Sequence, residues 1–275
     1  MFKTLDLGRV FGIDLRVHST VPLLAGLFAL LNLASGGPGA AASTLALLFA
    51  VALAVTLHEL GHALTARLYG NPTHGITLYP FGGVAQLDHE ARSSQEEVVV
   101  ALAGPAVNVV LAALSALVYV LVPALPGVAT FLWLNLGLAV FNLLPAFPMD
   151  GGRVLRGGLW RLVGYGNATR FAARAGQVFA VGFGLLGLIA NPMLLVIAFF
   201  VFSHASAQLR LLDLRGGQPR GPYVDPRGRV HVQPVREAGW RAPSAPPSWG
   251  PSPRAPGYAQ VRSPSGRRVF VVWRP

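Results

Sequence analysis

The residues of this 275-residue sequence best suited to chemistry are His58-Glu59-Leu60-Gly61-His62, two histidines four positions apart with a glutamate between them. On a helix, positions i and i+4 share a face, so both imidazoles can reach one Zn²⁺ while the adjacent carboxylate holds and deprotonates a water. Residues 45–57, just before the motif, are apolar throughout except for Thr56. Three ionisable side chains within about one turn of so apolar a helix are costly and mark a functional site. At about 1.5 Å per residue, His58 stands roughly 13 Å along the helix from Arg67, within hydrocarbon but nearer its basic end. The plain alternative is a polar cluster that joins packed helices.

Two histidines leave a catalytic zinc site one protein ligand short. The only acidic residue deep in the remaining apolar sequence is Asp150, within the stretch Asn142-Leu-Leu-Pro145-Ala-Phe-Pro148-Met-Asp150-Gly151-Gly152. Two prolines and two glycines there break the preceding helix and free the carboxylate to turn into a cavity. The alternative for Asp150, read alone, is a helix cap or turn residue, and it loses ground beside HELGH.

The elements that must position these residues are apolar. The chain is 53% hydrophobic and 12% charged, about half the charged share of an ordinary soluble domain, which excludes a typical cytosolic enzyme. With no cysteine, disulfides, thiolate metal sites and a Cys nucleophile are excluded as well. Six stretches are long and apolar enough to span a bilayer as helices: residues 17–34, 44–68, 98–122, 128–144, 172–189 and 192–209. The last two could form one long bent helix. The expected architecture is an all-α polytopic membrane protein of about six transmembrane helices, with a small hairpin at residues 79–87 between the second and third.

Charge placement gives the orientation. Residues 35–43, 123–127 and 190–191, the connections on one side, carry no charge, so all 22 Lys and Arg fall on the other side or at its edge. Positive side chains are retained in the cytoplasm, which puts both termini there. The first span is expected to be retained, a cleaved signal peptide being the alternative reading.

Residues 1–209 carry 10 basic and 8 acidic side chains, whereas residues 210–275 carry 12 and 3 and also hold 12 of the 22 prolines. The chain therefore divides into a hydrophobic domain, 1–209, and a basic, Pro-rich, mostly disordered cytoplasmic tail, 210–275. The tail suits anionic lipid better than nucleic acid, because its arginines are spread among Pro and Ser. Short alternating runs at residues 228–235 and 267–273 could pair as strands.

The ordered set of motifs resembles the site-2 protease family of intramembrane zinc metalloproteases. The resemblance rests on HELGH, on Phe81-Gly82-Gly83-Val84, on Gly104-Pro105-Ala-Val-Asn108 and on the NxxPxxPxDGG stretch, and covers roughly residues 9–160. It implies one Zn²⁺ per chain held by His58, His62 and Asp150, with Glu59 as general base and acid. Asn108 and Asn142 are implied as polar groups near the reacting carbonyl. The hairpin is implied to dip into the membrane and add a substrate strand. The substrate would be a single-span membrane protein cut in or near its transmembrane segment, in the cell membrane.

Two other functions fit the same residues. A divalent-metal transporter would use His58, His62 and Asp150 as a transit site, though Glu59 has no evident part in it except as a proton-coupled ligand. A catalytically inactive binding module would keep the fold without turnover. The string Gly182 to Gly187, formally GxGxxG, lacks a preceding strand and an acidic partner and reads as close helix packing. His18, His74, His89, His204 and His231 have no companion at ligand spacing.

Overall fold

The computed structural model describes residues 3–80, 82–214, 223–224, 230–231, 257–262 and 268–273. The chain divides into two units, residues 1–233 and 234–275.

In the first unit, strands β1 (Thr4–Val10) and β2 (Ile13–His18) precede a long helix α1 (Thr20–Leu68), followed by β3 (Thr73–Tyr79) and β4 (Gly82–Leu87). Helices α2 (Ser94–Leu121), α3 (Val128–Asn142), α4 (Asp150–Val163), α5 (Tyr165–Ile189) and α6 (Met193–Leu214) complete it. α1 packs on α2, α2 also on α3 and α4, α4 on α5, and α5 on α6.

The architecture is mainly helical, but the expected hairpin is part of a four-stranded sheet ordered β1-β2-β3-β4. The two N-terminal strands were not anticipated, because residues 3–16 look like a charged preface to a span. Phe11 and Gly12 supply the positive φ values, 52° and 82°, that close a two-residue turn between Val10 and Ile13. The hairpin itself runs from Thr73 to Leu87, with Tyr79 paired to Gly82 across its turn, so residues 79–87 cover only the turn and its second strand. β2 and β3 pair in parallel, as they must when a crossover element joins them, and here that element is α1.

This arrangement clamps the HELGH turn from behind. Leu60 and Ala63 of α1 pack against Ile13, Ile76 and Leu78 of the sheet, and Ile13 and Ile76 are almost wholly buried. Positions 60 and 63 lie on a different face of the helix from 58 and 62, so the sheet grips one face and leaves the histidine face to α2.

Among the described residues, four helices are long and apolar enough to cross a membrane, α1, α2, α5 and α6. α1 holds the first two expected spans as two helical segments joined across a break at Gly37 (φ 75°) ahead of Pro38, within the expected connection at residues 35–43. The fourth, α3, has 15 residues, or about 22 Å, short of a hydrocarbon core of about 30 Å. α5 begins at Tyr165, seven residues before the expected start. α6 continues past the expected domain boundary at Arg210 as far as Leu214. Large apolar side chains such as Leu23, Val110, Val178 and Phe199 stand exposed along these helices, as lipid contact requires.

Beyond α6, β5 (Tyr223–Val224) pairs with β6 (Val230–His231), both in the first unit. In the second unit, β7 (Gly257–Arg262) pairs with β8 (Arg268–Trp273). The runs expected to pair with each other thus each pair with a neighbour upstream, which costs less loop-closure entropy. The rest of the proposed disordered tail lies outside the described residues.

α4, a short helix absent from the sequence reading, is tied to α2 by polar contacts. Glu97 on α2, 1% exposed, accepts from Nε of Arg156 at 2.6 Å and also from Nη2. The Arg156 guanidinium lies between the Phe147 and Tyr165 rings, 4.9 Å from each centroid. Ser94 Oγ donates to Gly157 O at 2.6 Å. The start of α2 is set by Ser93, whose Oγ accepts from Glu96 N at 3.1 Å, while Glu96 Oε2 accepts from Arg92 N at 2.8 Å. Removing one partner of a buried ion pair strands the other charge at a cost of about 3–5 kcal/mol. Arg156→Ala should therefore lower Tm in detergent sharply, whereas Arg161→Ala, at an exposed position of the same helix, should leave it nearly unchanged.

Candidate metal centre

α1 presents His58 and His62 one turn apart towards α2, and the first residue of α4 brings Asp150 between them. His58 Nε2 is 3.1 Å from Asp150 Oδ2, His62 Nε2 is 3.2 Å from the same oxygen, and the two Nε2 atoms are 3.1 Å apart. All three residues are buried, 5%, 7% and 8% exposed. In a tetrahedral zinc site with bonds of about 2.0–2.1 Å, ligand atoms stand about 3.3 Å apart. The observed triangle has that size.

The outer ring nitrogens determine what the triangle holds. His62 Nδ1 lies 2.7 Å from the Val100 carbonyl oxygen, which can only accept, so it carries a proton. His58 Nδ1 donates to Asn108 Oδ1 at 2.5 Å. With both imidazoles neutral, the two Nε2 atoms present lone pairs to each other and to an anionic carboxylate oxygen. Three such atoms in contact repel unless a cation joins them, and a single proton can bridge only two. Two imidazole nitrogens and a carboxylate form a donor set suited to zinc. Among the described residues, this is the one group of three or more His, Cys, Asp or Glu side chains close enough to hold a metal ion.

The profile of peptidase family M50 matches residues 46–127 and 124–183, a stretch that contains all three candidate ligands. The chain belongs to peptidase family M50. It is 34% identical over 219 residues to a zinc metalloprotease of Methanocaldococcus jannaschii, covering 78% of this chain and 63% of that one. It is 37% identical over 235 residues to Rip3 of Mycobacterium tuberculosis, covering 74% and 58%. The chain thus spans about 60% of the length of these curated relatives. The solved structure of a site-2 protease from M. jannaschii resembles it with a TM-score of 0.60 at 31% identity, covering 76% of this chain and 96% of that one.

The glycines of the sequence motifs acquire physical reasons here. Gly104, of the Gly-Pro-Ala-Val-Asn stretch, lies directly against the ligands: a Cβ there would stand 2.3 Å from His62 Nε2 and 2.7 Å from His58 Nε2. Gly83 of β4 lies against Glu59, where a Cβ would stand 2.4 Å from Glu59 Cγ. Cβ atoms at Gly151 and Gly152 would meet backbone of residues 143–147 at 2.3–2.5 Å, so the turn that delivers Asp150 can close only on glycine.

The structure brings His58, His62, Asp150 and Asn108 into one hydrogen-bonded group, with Glu59 half-buried beside it under β4. Asn108 stands behind His58, its oxygen turned to Nδ1 and its nitrogen to Asn135 Oδ1 at 2.8 Å. The Asn142 amide donates to Leu138 O of its own helix at 3.0 Å rather than to a ligand. Sequence reasoning missed Asn135, Arg153 and the Glu97–Arg156 pair. Arg153 is the most legible of these, three residues after Asp150 and with Nη1 3.6 Å from Asp150 Oδ1. Of the other histidines, His74 meets Asp88 at 2.5 Å, His18 stacks on Tyr79, His89 Nδ1 meets Glu90 O at 2.9 Å and His204 Nδ1 meets Phe200 O at 2.9 Å. Gly187 lets α6 approach at Leu195, in keeping with helix packing for the Gly182–Gly187 string.

Gly104→Ala should weaken zinc binding by at least about tenfold, because displaced ligand and supporting groups typically cost 10–100-fold in affinity. Gly137→Ala, where a Cβ meets nothing within 4 Å, should leave it intact. Zinc content of the purified proteins after chelator competition measures both.

Proposed function

We propose that this chain is an intramembrane zinc metalloendopeptidase that cleaves a peptide bond in or near the transmembrane segment of a single-span membrane protein. The observation that carries this reading is the Glu59 carboxylate, lodged between the buried His58/His62/Asp150 triangle and the backbone of β4. A transport site needs the triangle but has no evident need of this carboxylate.

His58, His62 and Asp150 would hold the zinc. When bound, zinc polarises a carbonyl and brings the pKa of water close to neutrality. Glu59 takes the proton from the attacking water and returns it to the leaving amine. β4 is the edge strand of its sheet, so its outer backbone groups can pair with an extended peptide. A substrate helix must unwind to offer its carbonyl, because that oxygen is otherwise hydrogen-bonded within the helix. Pairing on β4 replaces the lost bonds and lays the unwound segment beside Glu59. Asn142 uses one amide proton within α3 and keeps a second to donate to the substrate carbonyl.

The protein would lie in the cell membrane with both termini in the cytoplasm and its basic C-terminal residues against anionic lipid. Release of an anchored regulator or removal of a signal-peptide remnant fits such cleavage.

In liposomes carrying single-span test substrates, wild type should produce a cleavage product. Glu59→Gln, at equal bound zinc, should lower the rate by at least about 10²-fold, the usual contribution of a general base. Equal cleavage by the two proteins would remove Glu59 from the chemistry. Zinc flux without cleavage would favour the transport reading.

A further inference from the structure

Two wholly buried asparagines connect His58 to the third helix. Asn108 on α2 and Asn135 on α3 are both 0% exposed. His58 Nδ1 meets Asn108 Oδ1 at 2.5 Å, Asn108 Nδ2 meets Asn135 Oδ1 at 2.8 Å, and Asn135 Nδ2 meets the Phe131 carbonyl oxygen at 2.9 Å. Asn135 touches none of the three candidate ligands, yet the row ends on one of them.

The row has a direction, and its far end sets it. A backbone carbonyl only accepts, so the nitrogen of Asn135 must face Phe131 O and its oxygen must face Asn108. Asn135 Oδ1 in turn only accepts, so Asn108 must turn its nitrogen there and its oxygen to His58. An oxygen at that place requires a proton on His58 Nδ1 and leaves Nε2 with its lone pair aimed into the triangle. Reversing Asn108 alone would set nitrogen against Nδ1 and oxygen against oxygen, two unfavourable contacts between wholly buried groups.

We propose that Asn135 is a positioning residue for the metal site: through Asn108 it fixes the tautomer and ring orientation of His58, so that a ligand on α1 is held by a backbone carbonyl of α3. The inference rests on the reading of the triangle as a zinc site. It explains why α3, too short to span by length, carries a buried amide facing α2. His62 needs no such relay, because its Nδ1 donates directly to the Val100 carbonyl. Partners of this kind orient metal-binding histidines, and their loss typically weakens metal affinity by about 10–100-fold.

The test measures zinc dissociation constants by chelator competition on the full chain in detergent, with Tm of the zinc-free protein as a control for packing. Asn135→Leu keeps the volume but frees Asn108 to reverse, and zinc binding should weaken about 10–100-fold. Asn135→Asp, neutral when buried, can donate O–H to Phe131 O and accept from Asn108, so it should bind zinc as wild type does. Wild-type affinity in Asn135→Leu would overturn the proposal. So would a loss that is equal in Asn135→Asp, which also serves if Asn135→Leu does not fold. Wild type that binds no zinc would overturn the metal site itself, an outcome distinct from any of these.

Discussion

Three lone-pair-bearing atoms, His58 Nε2, His62 Nε2 and Asp150 Oδ2, lie within 3.1–3.2 Å of one another in a buried site. That contact is unfavourable without a cation, and the surrounding fold exists to impose it. α1 supplies two of the atoms through helical periodicity alone. The third arrives because the chain between α3 and α4 turns sharply enough to place a carboxylate at the first residue of α4. The outer nitrogen of each imidazole is spent on an acceptor, Val100 O for His62 and Asn108 for His58, which leaves the inner ones no proton in their neutral state.

Holding polar groups at such distances in an apolar protein requires walls that do not yield. The sheet holds α1 from behind through Ile13, Ile76 and Leu78, and α2 approaches from the front because Gly104 has no side chain to collide with the ligands. α4 is held to α2 by the buried Glu97–Arg156 pair. That pair is itself weak as a source of stability, since desolvating two charges offsets most of their attraction. Its consequence is positional: an arginine enclosed by Glu97, Phe147 and Tyr165 leaves α4, and with it Asp150, little freedom to shift. Among the described residues, the same glycine-for-space logic recurs at Gly83, where the β4 backbone lies directly on Glu59.

The candidate ligands were legible in the sequence because their spacing repeats a helical turn and because carboxylates are scarce in apolar segments. Asp150 was recoverable by elimination, and the glycines and prolines around it signalled a turn. What sequence could not convey was pairing across elements. β1 and β2 contain Asp6, Arg9, Asp14 and Arg16, and the hairpin they form joins the sheet through a parallel partner of β2 some sixty positions away in β3. Asn135 lies in a stretch that reads only as apolar helix, and its importance follows from a neighbour 27 positions earlier. The limits of the spans were less legible for a related reason. Hydropathy measures lipid compatibility residue by residue, whereas the break at Gly37 and the short α3 depend on how the chain turns and packs.

The most direct test of the metal centre is X-ray absorption spectroscopy at the zinc edge on the purified full-length protein in detergent. One zinc per chain with two imidazole nitrogens and oxygen donors at about 2.0–2.1 Å is the expected shell. A shell with one or three imidazoles, or a protein that retains no zinc under conditions that preserve its fold, would contradict the assignment of His58, His62 and Asp150.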